Sequence, residues 1–130
     1  MPVLFESDHV RLEHEPSRGL VRFTRTPARF ESLDEADRVF GALAVLDVGI
    51  PRSELVLLID ARRGPGRNDD PFEKLMDQHR PRLFRGFRKR AILVQTVVGK
   101  LQATRINRES GFGNEIFDDE AAALAYLASP

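Results

Sequence analysis

Cysteine is absent from this 130-residue chain. Its absence excludes disulfides and thiolate metal ligands and fits a reducing cytosol. Net charge is absent too: 20 Lys and Arg stand against 20 Asp and Glu. Bulk attraction to nucleic acid or to an anionic membrane is therefore not expected, although charged residues make up 31% of the chain. No apolar run approaches the roughly 20 residues needed to cross a bilayer. The opening MPVLFESDH has neither the basic start nor the apolar core of a secretory signal. The expectation is a cytoplasmic protein with no transmembrane segment. What is present is a hydrophobic content of 42% in a chain of one-domain length. That is enough to bury well over half of the unfolded surface around one core, so residues 1–130 read as a single domain.

The chain is organised around residues 54–71, ELVLLIDARRGPGRNDDP. Leu55 to Ile59 are apolar without alternation, as in a strand covered on both faces, and Asp60 ends the run. Ligands of open α/β sheets collect outside the carboxyl ends of such strands, so residues 60–70 are the first place to look for a site. Upstream, Val10, Leu12 and His14 alternate with charged residues, and Val21 and Phe23 resume the pattern after Pro16-Ser17-Arg18-Gly19, which predicts a hairpin. Ser32 and Glu35 form a capping box, with Ser32 accepting from the Glu35 amide and the Glu35 side chain returning to the Ser32 amide. The helix they open carries Leu33, Ala36, Val39, Phe40, Leu43 and Leu46 on one side and closes at Gly49 and Pro51.

A second helix is marked by Asp70 as N-cap, Pro71 at the first position and Glu73 three residues after the cap. Pro81 is expected to kink or end it near Arg80. Ala91 to Thr96 forms another strand, lying beside the first. Residues 97–109 fit a helix or a strand; a helix is preferred because parallel strands need a crossover there. Glu115-Ile116-Phe117 reads as an edge strand. Asp118, Asp119 and Glu120 then open a last helix that buries Ala121, Leu124, Ala125 and Leu127. The expected architecture is α/β: a mixed β-sheet with helices packed on it, in the order β-β-α-β-α-β-α-β-α.

This order, with ELVLLID running into a loop and helix, resembles the STAS domain of anti-sigma-factor antagonists and the wider STAS and lipid-binding SEC14-like group. AILVQTVVGKLQATR followed by IFDDEAAALAYL is similar to the last two strand and helix units of small bacterial STAS-like proteins. The resemblance implies a regulatory interaction domain. Phospho-switched members carry a Ser or Thr after the strand ending in Asp, and residues 60–70 here contain no hydroxyl. Asp69 and Asp70 imitate a phosphate only crudely.

Arg62, Arg63 and Arg67 flank two glycines at a helix start, where free amides favour a phosphate, a nucleotide or an acidic partner. The commoner reading pairs them with Asp69 and Asp70 in a solvated loop, and the glycine spacing and lysine of a P-loop are missing. Arg80, Arg82, Arg85, Arg88, Lys89 and Arg90 are interleaved with Phe84 and Phe87. That pattern suits a nucleic acid, an acidic protein or a lipid headgroup. It also suits a buried aromatic stripe with arginines on its wet side. His9, His14 and His79 lack metal-ligand spacing and read as structural, no serine sits in a nucleophile elbow, and neither metal nor cofactor is expected. Phe112, between Gly111 and Gly113, reads as a contact residue or a lid over the core.

The leading expectation is a non-enzymatic, cytosolic, regulatory protein-interaction module, with a homodimer among its expected partners. Its contact surface would be Asp60, Arg62, Arg63, Arg67, Asn68, Asp69 and Asp70. Two alternatives stand beside it. One is a domain binding a nucleotide or lipid headgroup near residues 62–67. The other is an enzyme in which Asp60 converges with Arg105, Gln102 or a histidine, against the commoner role of such an aspartate in accepting the amides of the next turn.

Overall fold

A computed structural model describes residues 2–65, 70–96, 99–101, 103–105 and 114–130. Expectations resting on Arg67, Asn68, Asp69, Gln102 and Phe112 fall outside them. Six strands form one sheet: β1 (Val3–Glu6), β2 (Val10–Glu15), β3 (Leu20–Arg25), β4 (Val56–Asp60), β5 (Lys89–Leu93) and β6 (Glu115–Phe117). Their order across the sheet is their order along the chain. β1, β2 and β3 pair antiparallel, and β3, β4, β5 and β6 run parallel. The parallel strands are connected through α1 (Leu33–Ala44), α2 (Asp70–Phe84) and α3, whose helical residues are 99–101 and 103–105; α4 (Glu120–Ala128) follows β6. The result is a mixed α/β sheet with helices packed on it.

Parallel strands laid down in one direction by crossovers of one hand place their helices on a common face. Accordingly Phe40 and Leu43 of α1 and Phe72, Met76 and Leu83 of α2 share one core with Val10, Leu12, Phe23, Leu57 and Ile59 of the sheet. Alternation along the strands sends Leu20, Val56, Leu58, Ala91 and Leu93 to the opposite face, where Ala123 and Leu127 of α4 cover them. β4 is therefore buried on both sides throughout, which is why its sequence does not alternate.

Several boundaries depart from expectation. β1 is an additional strand, so the order begins with three strands; its four residues show no alternation, and a register irregularity between Val3 and Phe5 weakens the pattern further. The hairpin turns through a 3-10 segment, Pro16–Arg18, and needs Gly19 at φ 58°, a left-handed conformation that costs glycine little. Ser32 Oγ does accept from the Glu35 amide at 3.1 Å, but the Glu35 carboxylate returns to the amide of Glu31 at 3.0 Å instead of Ser32. α1 ends at Ala44, ahead of Gly49 and Pro51, leaving Leu46 outside the helix and Leu33 exposed at its start.

α2 includes Asp70 and passes through Pro81 without ending. One backbone bond is lost, but buried residues on both sides, Met76 and Arg80 before, Leu83 and Phe84 after, hold the segment together. The Arg85 amide bonds Pro81 O at 3.2 Å, and Arg52 donates to the terminal carbonyls of Arg82 and Arg85, both at 2.9 Å. β5 starts two residues before Ala91 and stops at Leu93, and the Val94 amide makes a last bond to Phe117 O of β6 at 2.9 Å. α4 buries Ala123 and Leu127, whereas Ala121 and Ala125 are exposed. At 97–109 the described residues are helical, β4 and β5 are neighbours, and β6 lies at the sheet edge.

Candidate functional site

Two clusters meet at the carboxyl ends of β3, β4 and β5, one on each face of the sheet. On the α4 face, Thr24 lies opposite Asp60 in the parallel ladder, and Arg22, two residues earlier, shares that face. Arg22 Nη2 donates to Asp60 Oδ2 at 2.8 Å and to Glu120 Oε1. Arg62 reaches back from the next turn, donating to Asp60 from Nε at 2.9 Å and Nη2 at 2.8 Å, and to Glu120 Oε1 at 3.0 Å. The Arg62 amide adds a bond to Asp60 Oδ1 at 3.2 Å. Two cations and two anions thus form a closed, neutral square that ties the first turn of α4 to the sheet.

The ionisation of this square follows its geometry. Burial alone pushes the Asp60 carboxyl up, but bonds from the Arg62 side chain, its amide and Arg22 outweigh that and hold it below its ordinary value. The bond from Arg22 likewise holds Glu120 down. Burial opposes the Arg22 charge, and Glu120 and Asp60 more than restore it; Arg62 is raised chiefly by its bond to Asp60.

The opposite face carries a cavity of about 440 Å³ between the sheet ends, α2 and α3. Phe23, Phe40, Ile59, Phe72, Met76 and Phe84 give it apolar walls, with Gln95 and Thr96 at the rim. Arg25, the last residue of β3, also lines it. Gly64 lies so close that a Cβ there would stand 3.1 Å from Arg25 Cβ, so the turn after β4 packs directly on the arginine stem. Arg25 stacks over the Phe30 ring at 4.9 Å, and its Nη2 makes one long bond of 3.5 Å to Ala28 O. Its Nε is buried with no hydrogen-bond partner. Burial pulls this guanidinium down to about 10, with no carboxylate opposing the shift. The other arginine on the α2 side, Arg80, is paired with Asp77 at 2.8 Å and with Glu73, the acid in the cavity wall, at 3.2 Å.

The expected site residues are thus divided. Asp60 and Arg62 come together, and Arg62 pairs with Asp60 and Glu120. Arg63 is exposed, as is Asp70 at the start of α2. Neither Arg105 nor a histidine contacts Asp60. His79 bonds Asp37 at 2.8 Å, and His9 bonds Glu35 at 3.1 Å while stacking on Phe30 at 4.2 Å. Leu83 and Phe84 are core, as the stripe implied, but Arg80 is buried beside them, not part of a wet side. Among the described residues no three His, Asp or Glu converge as metal ligands, and no helix is long and apolar enough to cross a membrane.

Arg22, Glu120 and Arg25 were missed. Alternation of β3 could have shown Arg22 and Arg25 on opposite faces, but which face was open depended on where α4 and α2 pack. Comparison with protein-family models, curated proteins and solved structures finds no match for this chain.

Proposed function

We propose that this protein is a small-molecule-binding domain, holding its ligand without covalent chemistry in the cavity between the sheet ends and α2. The observation that carries the reading is the cavity itself: about 440 Å³, within the roughly 300–1,000 Å³ usual for ligand sites, apolar-walled, and at the strand ends where open α/β sheets take ligands. Binding is favoured over catalysis because the acids nearby are already engaged. Asp60 is held by two arginines on the other face, and Glu73 by Arg80. The neutral dye N-phenyl-1-naphthylamine tests the reading. Saturable one-site binding is expected, weakened by Ala61→Leu, which adds bulk at the cavity wall. No saturable binding to the folded protein, or binding indifferent to that substitution, refutes it.

A second reading, a cytosolic STAS-like regulatory module that docks a protein partner, draws on the exposed Arg63 and Asp70 beside the same strand end. Under it, Arg63→Glu abolishes partner capture with no change in dye binding.

A further inference from the structure

Resting on the reading of the cavity as a ligand site, we infer that its ligand is an amphipathic monoanion: an apolar body filling the cavity and one carboxylate- or sulfonate-like head paired with Arg25. The charge count around the cavity leads there. Arg62 at the wall is balanced by Asp60 and Glu120, and Arg80 by Asp77 and Glu73. Among the described residues Arg25 has no acid partner, and its Nε is shut away from solvent unbonded.

A guanidinium buried without a counter-charge is costly and is satisfied by an incoming anion, which can take two parallel N–H bonds from its fork. One unbalanced cation calls for one negative charge. A phosphate monoester would bring a second charge into a wall that already holds Glu73, and the other two arginines among the described lining residues, Arg62 and Arg80, are already paired. The aromatic walls supplied by Phe23, Phe40, Phe72 and Phe84 favour a flat or branched hydrocarbon body.

Matched dyes separate the two layers of the proposal. 1-Anilinonaphthalene-8-sulfonate and N-phenyl-1-naphthylamine share one framework and differ in the charged head. The sulfonate is expected to bind about 10- to 100-fold more tightly, the range of a charge-assisted hydrogen bond. Arg25→Met should erase that preference while leaving the neutral dye's affinity within about twofold, and Arg25→Lys should keep part of it. In a second pair, 1-naphthalenesulfonate should bind more tightly than the dianion 1-naphthyl phosphate. Equal affinity for the first pair, a preference surviving Arg25→Met, or tighter binding of the phosphate overturns the monoanion. Failure of both dyes to bind overturns the cavity as a ligand site, and the monoanion with it. Urea unfolding of each variant establishes that it is folded, and if Arg25→Met does not fold, Arg25→Gln replaces it.

Discussion

Replacing Arg25 by methionine should make the protein more stable. The cavity wall holds a guanidinium pulled down to about 10 by burial. That is two or more tenfold steps in its ionisation equilibrium, on the order of 3 kcal/mol at about 1.4 kcal/mol per step. Three terms reduce the figure. Arg25 is only partly buried, so solvent screens some of the cost. Its stacking over Phe30 is worth about 0.5–1 kcal/mol. The long bond to Ala28 O adds little. Methionine keeps the stem's apolar contacts with Gly64 and the cavity wall. The net expectation is a gain of about 1–2 kcal/mol, or a Tm higher by about 5 °C for a chain of this size. The sign with pH is fixed as well. A cation whose folded pKa is lowered costs stability wherever it stays charged in the fold, so the gain should be level between pH 6 and 9 and shrink only near and above about 10. Urea unfolding of both proteins across that range measures it, with the midpoint rising at constant slope. A variant no more stable than its parent would refute the claim that Arg25 is uncompensated.

Asp60→Asn should cost about 2 kcal/mol at pH 7, because its amide nitrogen cannot accept where one carboxylate oxygen did, so one or two of the charge-assisted bonds from Arg22 and Arg62 are lost at roughly 1.5 kcal/mol each, less screening at the partly exposed arginines. Since the folded Asp60 pKa lies below its ordinary value, that stability is present above the unfolded pKa and lost as pH falls through the folded one, so the two unfolding curves should stay apart at neutral pH and draw together only as pH falls below the ordinary carboxylate range. Ser32→Ala removes the acceptor of the Glu35 amide and should cost about 1 kcal/mol by the same measurement. Leu58→Ala, at 0% exposure in the core under α4, should cost about 2–5 kcal/mol by urea unfolding.

Much of the sheet was legible because its signals are local. The unalternating run at 55–59, the Ser32 cap and the apolar face of α1 each state their own structure within a few residues. β1 was illegible for the same reason in reverse, since four residues on an irregular edge carry no period. Pro81 misled because its local cost is real and tertiary burial outweighs it. The site was legible only as an address. Asp60 and Arg62 announced the strand end, but their partners come from β3 and from α4, and sequence spacing says nothing of a contact that depends on parallel register and on which face α4 covers. Arg25 was invisible for a related reason: a charge at a strand end looks solvated until the helices that enclose it are known.

Because strand order follows chain order, a chain emerging from the ribosome can add each new strand to an edge already in place. The antiparallel pairings then close over short turns and each parallel pairing over a single helical crossover, which keeps most strand contacts between chain neighbours. Glu120 is different, joining Arg22 across 98 residues. Until that glutamate has emerged the charge square stays open, so α4 closes as a latch on a contact that β3 left waiting.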